Sequence, residues 1–226
     1  MKKFLATLIL VFYSSVSLAH MAHYNNYNKI EMEIFRNGEL IGYNYYFFTK
    51  KGDETIVTNQ IKFSVKLLGA TIFKIEGYGE ERYLKDQLIS YSSKTQHNNK
   101  EKFVNLLFNN DTTKFNIKGS SFNGEVSTDS VIGNWWNHKI LQADSQISPI
   151  SGSIKKQVVT FIREEKINLY GKIYKVDYFT LKSKDMSIPQ DKRLNFNIWY
   201  DQENSTILKV SYSRMGDWEY RLKKIE

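Results

Sequence analysis

Cysteine is absent from the 226 residues, which excludes a disulfide scaffold and a Cys-based zinc site. Proline occurs twice and glycine only 12 times, so the chain is neither collagen-like nor a low-complexity linker. Histidine occurs four times, which leaves His20, His23, His97 and His138 as the whole supply of imidazole. Arginine is scarce beside lysine, 6 against 26, and the lysines stand singly or in pairs such as Lys155-Lys156 and Lys223-Lys224. Nucleic-acid readers gather basic residues on one face and favour arginine for bidentate contacts, so no nucleic-acid partner is expected. Gly-x-Ser-x-Gly, a phosphate-cradling glycine loop and His-Glu-x-x-His are all missing. What the chain does contain is 41% hydrophobic, 15% aromatic and 25% charged residues, the composition of a medium-sized globular domain rather than a disordered chain.

The first 19 residues read as a secretory signal peptide. Lys2-Lys3 precede the apolar run Phe4 to Val16, and Ser17-Leu18-Ala19 places small residues at the -3 and -1 positions. The run is shorter than the ~20 apolar residues of a membrane-spanning helix, and no later stretch approaches that length, so no transmembrane segment is expected after cleavage. The sequence near the cleavage site offers no cysteine to carry a lipid. The expectation is a bacterial periplasmic or secreted protein starting at His20, with residues 20–226 as a single β domain. That mature chain holds 30 basic and 24 acidic side chains, a net charge of +6.

Along it the dominant period is two. Val57, Asn59, Ile61, Phe63, Val65 and Leu67 alternate with Thr58, Gln60, Lys62, Ser64 and Lys66, one face apolar and the other polar. The same holds for Leu208, Val210 and Tyr212, and for Trp218, Tyr220 and Leu222 against Glu219, Arg221 and Lys223. Turn signals separate these runs: Asn37-Gly38 above all, then Gly52, Lys85-Asp86, Asn98-Asn99, Asn109 to Asp111, Asn123-Gly124, Asn168 to Gly171, Gln202 to Ser205 and Gly216-Asp217. About ten to twelve strands are expected on these signals. Thr128 to Gly152 breaks the alternation and reads as a crossover loop with a helical turn, for which Thr128, Asp129 and Ser130 are candidate caps. The predicted fold is all-β: a large, strongly curved antiparallel meander, as a half-barrel or open barrel, with a loop or short helix over its concave face.

Several short pieces spread over the mature chain carry a family resemblance. They are Asn37-Gly38-x-x-Ile41-Gly42, Glu80-Glu81 with Leu88, Ser90 and Thr95, then Trp136, Gly171, Trp199-Tyr200-Asp201 and Gly216-Asp217. Together they resemble an exported proteobacterial family of unknown function, whose sheet resembles the outer-membrane lipoprotein carriers. The resemblance implies a curved sheet with a concave binding face, and it transfers no catalytic residue.

Three sets of residues are candidates for chemistry. Cleavage after Ala19 would make His20 the N-terminus, whose amine and ring nitrogen chelate copper; with His97 or His138 the set resembles the histidine brace of copper-dependent polysaccharide monooxygenases. Against this stands a frayed terminus that merely begins with histidine. His138, in the long loop, would need Asp129 or Asp144 to act as a base. Glu76 and Glu80 lie on one strand face about 13 Å apart, outside both carboxyl spacings used for glycoside hydrolysis, and are expected to pair with lysines. No catalytic residue, metal or cofactor is assigned. Trp135 and Trp136 are the candidate ligand-binding residues, because adjacent indoles in an irregular loop either grip an amphiphile or anchor the loop by their own burial. The expected partner is a lipid or other apolar ligand, or an envelope protein. The alternatives are a structural protein with a self-filled core and a copper oxidase built on His20.

Overall fold

The structure is a computed structural model of the chain and describes residues 20–226; the expected signal peptide, residues 1–19, lies outside the described residues. Period-two alternation makes most of the described chain extended. The strands are β1 (Lys29–Arg36), β2 (Glu39–Lys51), β3 (Glu54–Leu67), β4 (Ala70–Leu84), β5 (Gln87–His97), β6 (Lys100–Asn109), β7 (Lys114–Gly119), β8 (Asn123–Ser127), β9 (Ser130–Ile132), β10 (Ser145–Ile147), β11 (Ile154–Leu169), β12 (Lys172–Ser183), β13 (Asn195–Asp201), β14 (Thr206–Ser213) and β15 (Asp217–Ile225). A four-residue helix, α1 (His20–His23), runs into a 3-10 turn at Tyr24–Asn26. Among the described residues no helix is long and apolar enough to cross a membrane.

All fifteen strands form one sheet, in the order β8 back through to β1, then β15 back through to β9. The step β1–β15 joins the two ends of the chain, with Ile34 opposite Tyr220. Every neighbouring pair is antiparallel except β9–β10. The sheet curls into a nearly closed barrel, as predicted, and its two edges, β8 and β9, are consecutive in sequence. Near the seam Ser121 N donates to Ser151 O at 2.8 Å.

The strand count exceeds the sequence expectation because three strands of three to five residues, β8, β9 and β10, lie in the stretch where periodicity is too short to read. Asn123-Gly124 is not a turn but the start of β8, the reversal lying just before it. Thr128 to Ser130 cap no helix either. The helical turn of the long loop is His138–Leu141, and the Asn137 side chain caps it by accepting from Lys139 N at 3.0 Å.

Asn37-Gly38 behaves as its composition requires, with φ of 50° and 83° at the two positions, the backbone of a tight hairpin whose twist matches its strands. Gly42 has a different reason. It sits opposite Phe63 on β3, and a Cβ there would lie 2.1 Å from Lys62 O and 2.4 Å from Phe63 Cβ, so only glycine permits the strand approach.

The apolar faces predicted from alternation point inward: Val57, Phe63, Val65, Val210, Trp218 and Tyr220 all join the main core. Two predicted members do not. Leu67 is exposed because it ends β3 at the hairpin tip, opposite Ala70. Past the irregularity at Trp199/Tyr200, Leu208 leaves the barrel interior and packs with Leu169 and Val176 in a small outer cluster. That cluster lies by the tip of the long β11–β12 hairpin, where Tyr170 donates to Glu33 Oε2 at 2.6 Å.

Candidate functional site

The segment between β9 and β10 enters the barrel, and one strand is prepared to receive it. On β4 the inward positions are Ile75, Gly77, Gly79, Glu81 and Tyr83; at Gly77 and Gly79 the Thr95 and Tyr91 side chains of β5 lie too close for a Cβ, and Glu81 places a carboxyl in the interior. A buried carboxyl must be hydrogen-bonded, and this one accepts three bonds: Asn134 Nδ2 at 2.6 Å and Trp136 Nε1 at 2.9 Å on Oε1, and the Tyr83 hydroxyl at 2.6 Å on Oε2. Burial pushes the Glu81 carboxyl above its ordinary range, and the bonds from Tyr83, Trp136 and Asn134 pull the other way. Burial and the adjacent Glu81 charge raise the Tyr83 phenol in turn.

The two tryptophans have separate surroundings. Trp136 is 1% exposed and its ring packs edge-on against Tyr24, Phe48 and Tyr83 at 4.9, 5.4 and 5.9 Å. Its carbonyl oxygen lies 2.8 Å from the Tyr24 hydroxyl, which also stands 2.7 Å from His138 Nδ1. Tyr24 belongs to the N-terminal segment that covers this end of the barrel, where Met21 N also donates to Asp86 Oδ1 at 2.6 Å. Trp135 points the other way. Its backbone N donates to the Tyr46 hydroxyl at 3.2 Å, and its ring lies edge-on to Phe196 at 5.1 Å.

Above Trp135 the barrel is not filled. A cavity of about 920 Å³ extends from the loop toward the opposite end, and its size falls in the ~300–1,000 Å³ range of small-molecule pockets. Trp135, Tyr46, Tyr220 and Phe196 contribute aromatic wall, while Asn44, Asn59, Ser93 and Thr95 contribute polar wall, so the lining is amphipathic rather than purely apolar. Trp136 is not part of it. A second loop is tied over the inner sheet beside the cavity, the Pro149 carbonyl accepting from Tyr91 Oη at 2.9 Å and Ser93 Oγ at 2.6 Å. A Cβ on Gly79 would lie 3.0 Å from that Tyr91 hydroxyl.

The remaining candidates fall elsewhere. His97 ends β5 at the cavity mouth, edge-on to Phe73, whereas His138 lies at the opposite end beside Tyr24, so these two rings do not come together. His138 lies edge-on to His23 and tilted against Tyr200 and contacts Tyr24; burial, then the neighbouring His23 and Lys139, lower its pKa to about 4. Asp129 bonds Ser127 Oγ on the exposed surface instead of reaching that ring. Among the described residues no group of three His, Asp or Glu side chains is placed to hold a metal. On the outer face Glu76 pairs with Lys62 and Lys74 as expected, whereas Glu80 pairs with an arginine of its own strand, Arg82. The sequence reading assigned Glu81 no role. The signal that separates it is parity, since Glu81 shares its face with Ile75 and Tyr83.

Residues 32–223 match the family described as Domain of unknown function (DUF6134), and the chain belongs to that family. No curated protein matches the sequence. Of solved structures, a beta-barrel-like protein of the domain of unknown function DUF1849 from Brucella abortus is similar with a TM-score of 0.57 and 10% identity, over 88% of this chain and 95% of that one. That similarity establishes the barrel-like fold alone. A protein described as exported, with a YmcC-like fold, from Bacteroides fragilis covers 88% of this chain and 94% of its own at 10% identity, but its TM-score of 0.36 supports no argument.

Proposed function

We propose that this DUF6134 protein is an exported, proteobacterial, non-enzymatic binding protein that holds an amphiphilic ligand in the barrel cavity, in the manner suggested by the resemblance of its sheet to the lipoprotein carriers. The observation that carries the reading is the cavity itself, about 920 Å³ with Trp135 in its wall, in a chain whose fifteen strands close around little else at that end. An amphipathic wall suits a ligand with both apolar and polar parts. Export rests on Lys2-Lys3, the apolar run to Val16 and Ser17-Leu18-Ala19, with the mature chain a single β domain from His20 in the periplasm or medium. Within the pair of tryptophans, Trp135 touches the ligand and Trp136 holds the loop that carries it.

The second reading is a structural or interaction protein with a self-filled core, and one observation favours it: the lower half of the interior is packed solid by Trp136, Tyr24, Phe48 and Tyr83. Native mass spectrometry of the protein exported under its own leader tests both readings. A chain starting at His20 with a bound mass in the lipid range supports the carrier. An unliganded chain that also fails to take up added detergent or lipid overturns it and leaves the structural reading.

A further inference from the structure

The mouth of the cavity is cationic, and nothing within the cavity balances it. Lys102 on β6, Lys155 on β11, Lys182 on β12, Lys192 and Arg193 on the loop before β13, and Arg214 in the β14–β15 turn all line it. No Asp or Glu is among its described lining residues. Five separate segments therefore deliver positive charge to one opening. Some cations elsewhere are paired with carboxylates, Lys62 with Glu76, Arg82 with Glu80 and Glu54, Lys209 and Arg221 with Glu219. None of the six mouth residues forms an ion pair among the described residues.

Their mutual influence is felt. The Lys155 ammonium is lowered first by burial and then by Arg214 and Lys192, with Asp191 on the neighbouring loop offsetting part of it. His97 is lowered by burial and by Lys102 and Lys100. Some donors at the mouth are committed to backbone, Lys155 Nζ to the Lys192 carbonyl and Arg193 Nε to the Ile188 carbonyl at 2.8 Å, which fixes the loop that carries Lys192 and Arg193. Holding like charges together in a partly desolvated opening is costly, and an anion placed among them removes that cost while gaining charge-assisted hydrogen bonds.

We propose that the cavity selects ligands bearing an acidic group, a phosphate or carboxylate, held at the mouth by Lys155, Arg214 and Lys192 while the remainder of the ligand descends toward Trp135. The proposal rests on the binding reading above and adds the charge and orientation of what is bound. The acidic group is supplied either by an amphiphile's head or by a free anion, and these are separable.

Isothermal titration of the mature protein with dodecyl phosphate, dodecyl maltoside and inorganic phosphate, each below its micellar concentration where one applies, makes the test. Dodecyl phosphate is expected to bind at least about tenfold more tightly than dodecyl maltoside, with the difference shrinking as salt is raised. Lys155→Gln with Arg214→Gln is expected to erase the preference, dodecyl phosphate then binding no more tightly than dodecyl maltoside, and Lys192→Gln to reduce it without altering the melting temperature. Lys175→Gln on the outer face controls for net charge. Equal affinity for the two detergents overturns the acidic-group inference and leaves the amphiphile reading standing. Inorganic phosphate binding as tightly as dodecyl phosphate upholds the anion site and overturns the amphiphile reading. Binding of none of the three overturns both.

Discussion

The indole nitrogen of Trp136 donates to the Glu81 carboxyl across 2.9 Å, tying the loop after β9 to the inner face of β4, 55 residues away in sequence. Asn134 binds the same oxygen and Tyr83 the other, so one carboxyl fixes the loop, the floor of the cavity and the neighbouring strand position. Removing it leaves three buried donors without an acceptor. Glu81→Ala should therefore cost about 3–5 kcal/mol of stability, measured by urea unfolding, and Glu81→Gln, which keeps one oxygen and the shape, clearly less.

The same carboxyl sets a pH dependence whose sign is fixed. Because its native pKa is raised above the ordinary 4.5, the native state holds that proton more tightly than the unfolded chain does. The stability it contributes is full below the ordinary carboxylate range and is lost as pH rises through the raised native value. Thermal melts from pH 4 upward should show this decline as the difference between the natural protein and Glu81→Gln. Tyr83, Tyr24, Tyr46 and Tyr91, the titratable neighbours that feel Glu81, stay neutral across that window, their phenols all being raised.

His138 works in the opposite direction. Its ring is lowered from 6.5 to about 4, so the unfolded chain takes up the proton first. The stability is present above pH 6.5 and is lost as pH falls toward 4. His138→Gln should flatten the acid limb between those values while leaving the decline set by Glu81 intact.

Substituting the tryptophans separately should divide stability from binding. Trp136→Phe removes the donor to Glu81 and part of a fully buried ring, with an expected loss of about 2–4 kcal/mol. Trp135, 8% exposed on the cavity wall, is expected to tolerate Trp135→Ala with a smaller loss and to show its effect as weakened retention of bound ligand in native mass spectra.

Gly42→Ala tests the tight approach of β2 and β3. A Cβ there meets backbone, Lys62 O at 2.1 Å, so the clash cannot be relieved by a rotamer change. The expected cost is about 3 kcal/mol, read by thermal melting, whereas Gly171→Ala, where a Cβ meets nothing within 4 Å, is expected to cost less and only through its φ of +85°.

Strand-forming stretches, most turns and the curved antiparallel class follow from the sequence by itself, because alternation and Asn-Gly chemistry act between residues close along the chain. Val57 to Val65 and Trp218 to Leu222 need no partner to show which face is apolar. The sequence also marks Trp135 and Trp136 as belonging to the irregular segment. What it leaves open depends on residues far apart. The pairing of β1 with β15 that closes the barrel, the bulge that turns Leu208 away from the interior, and the bond from Trp136 to Glu81 all require the strands to be assembled first. Lysines and arginines scattered singly or in pairs from Lys102 to Arg214 form one cationic mouth only because the curl of the sheet brings five segments to the same end. Local periodicity decides the direction of each side chain within its strand; the order and curvature of the strands decide what that side chain meets.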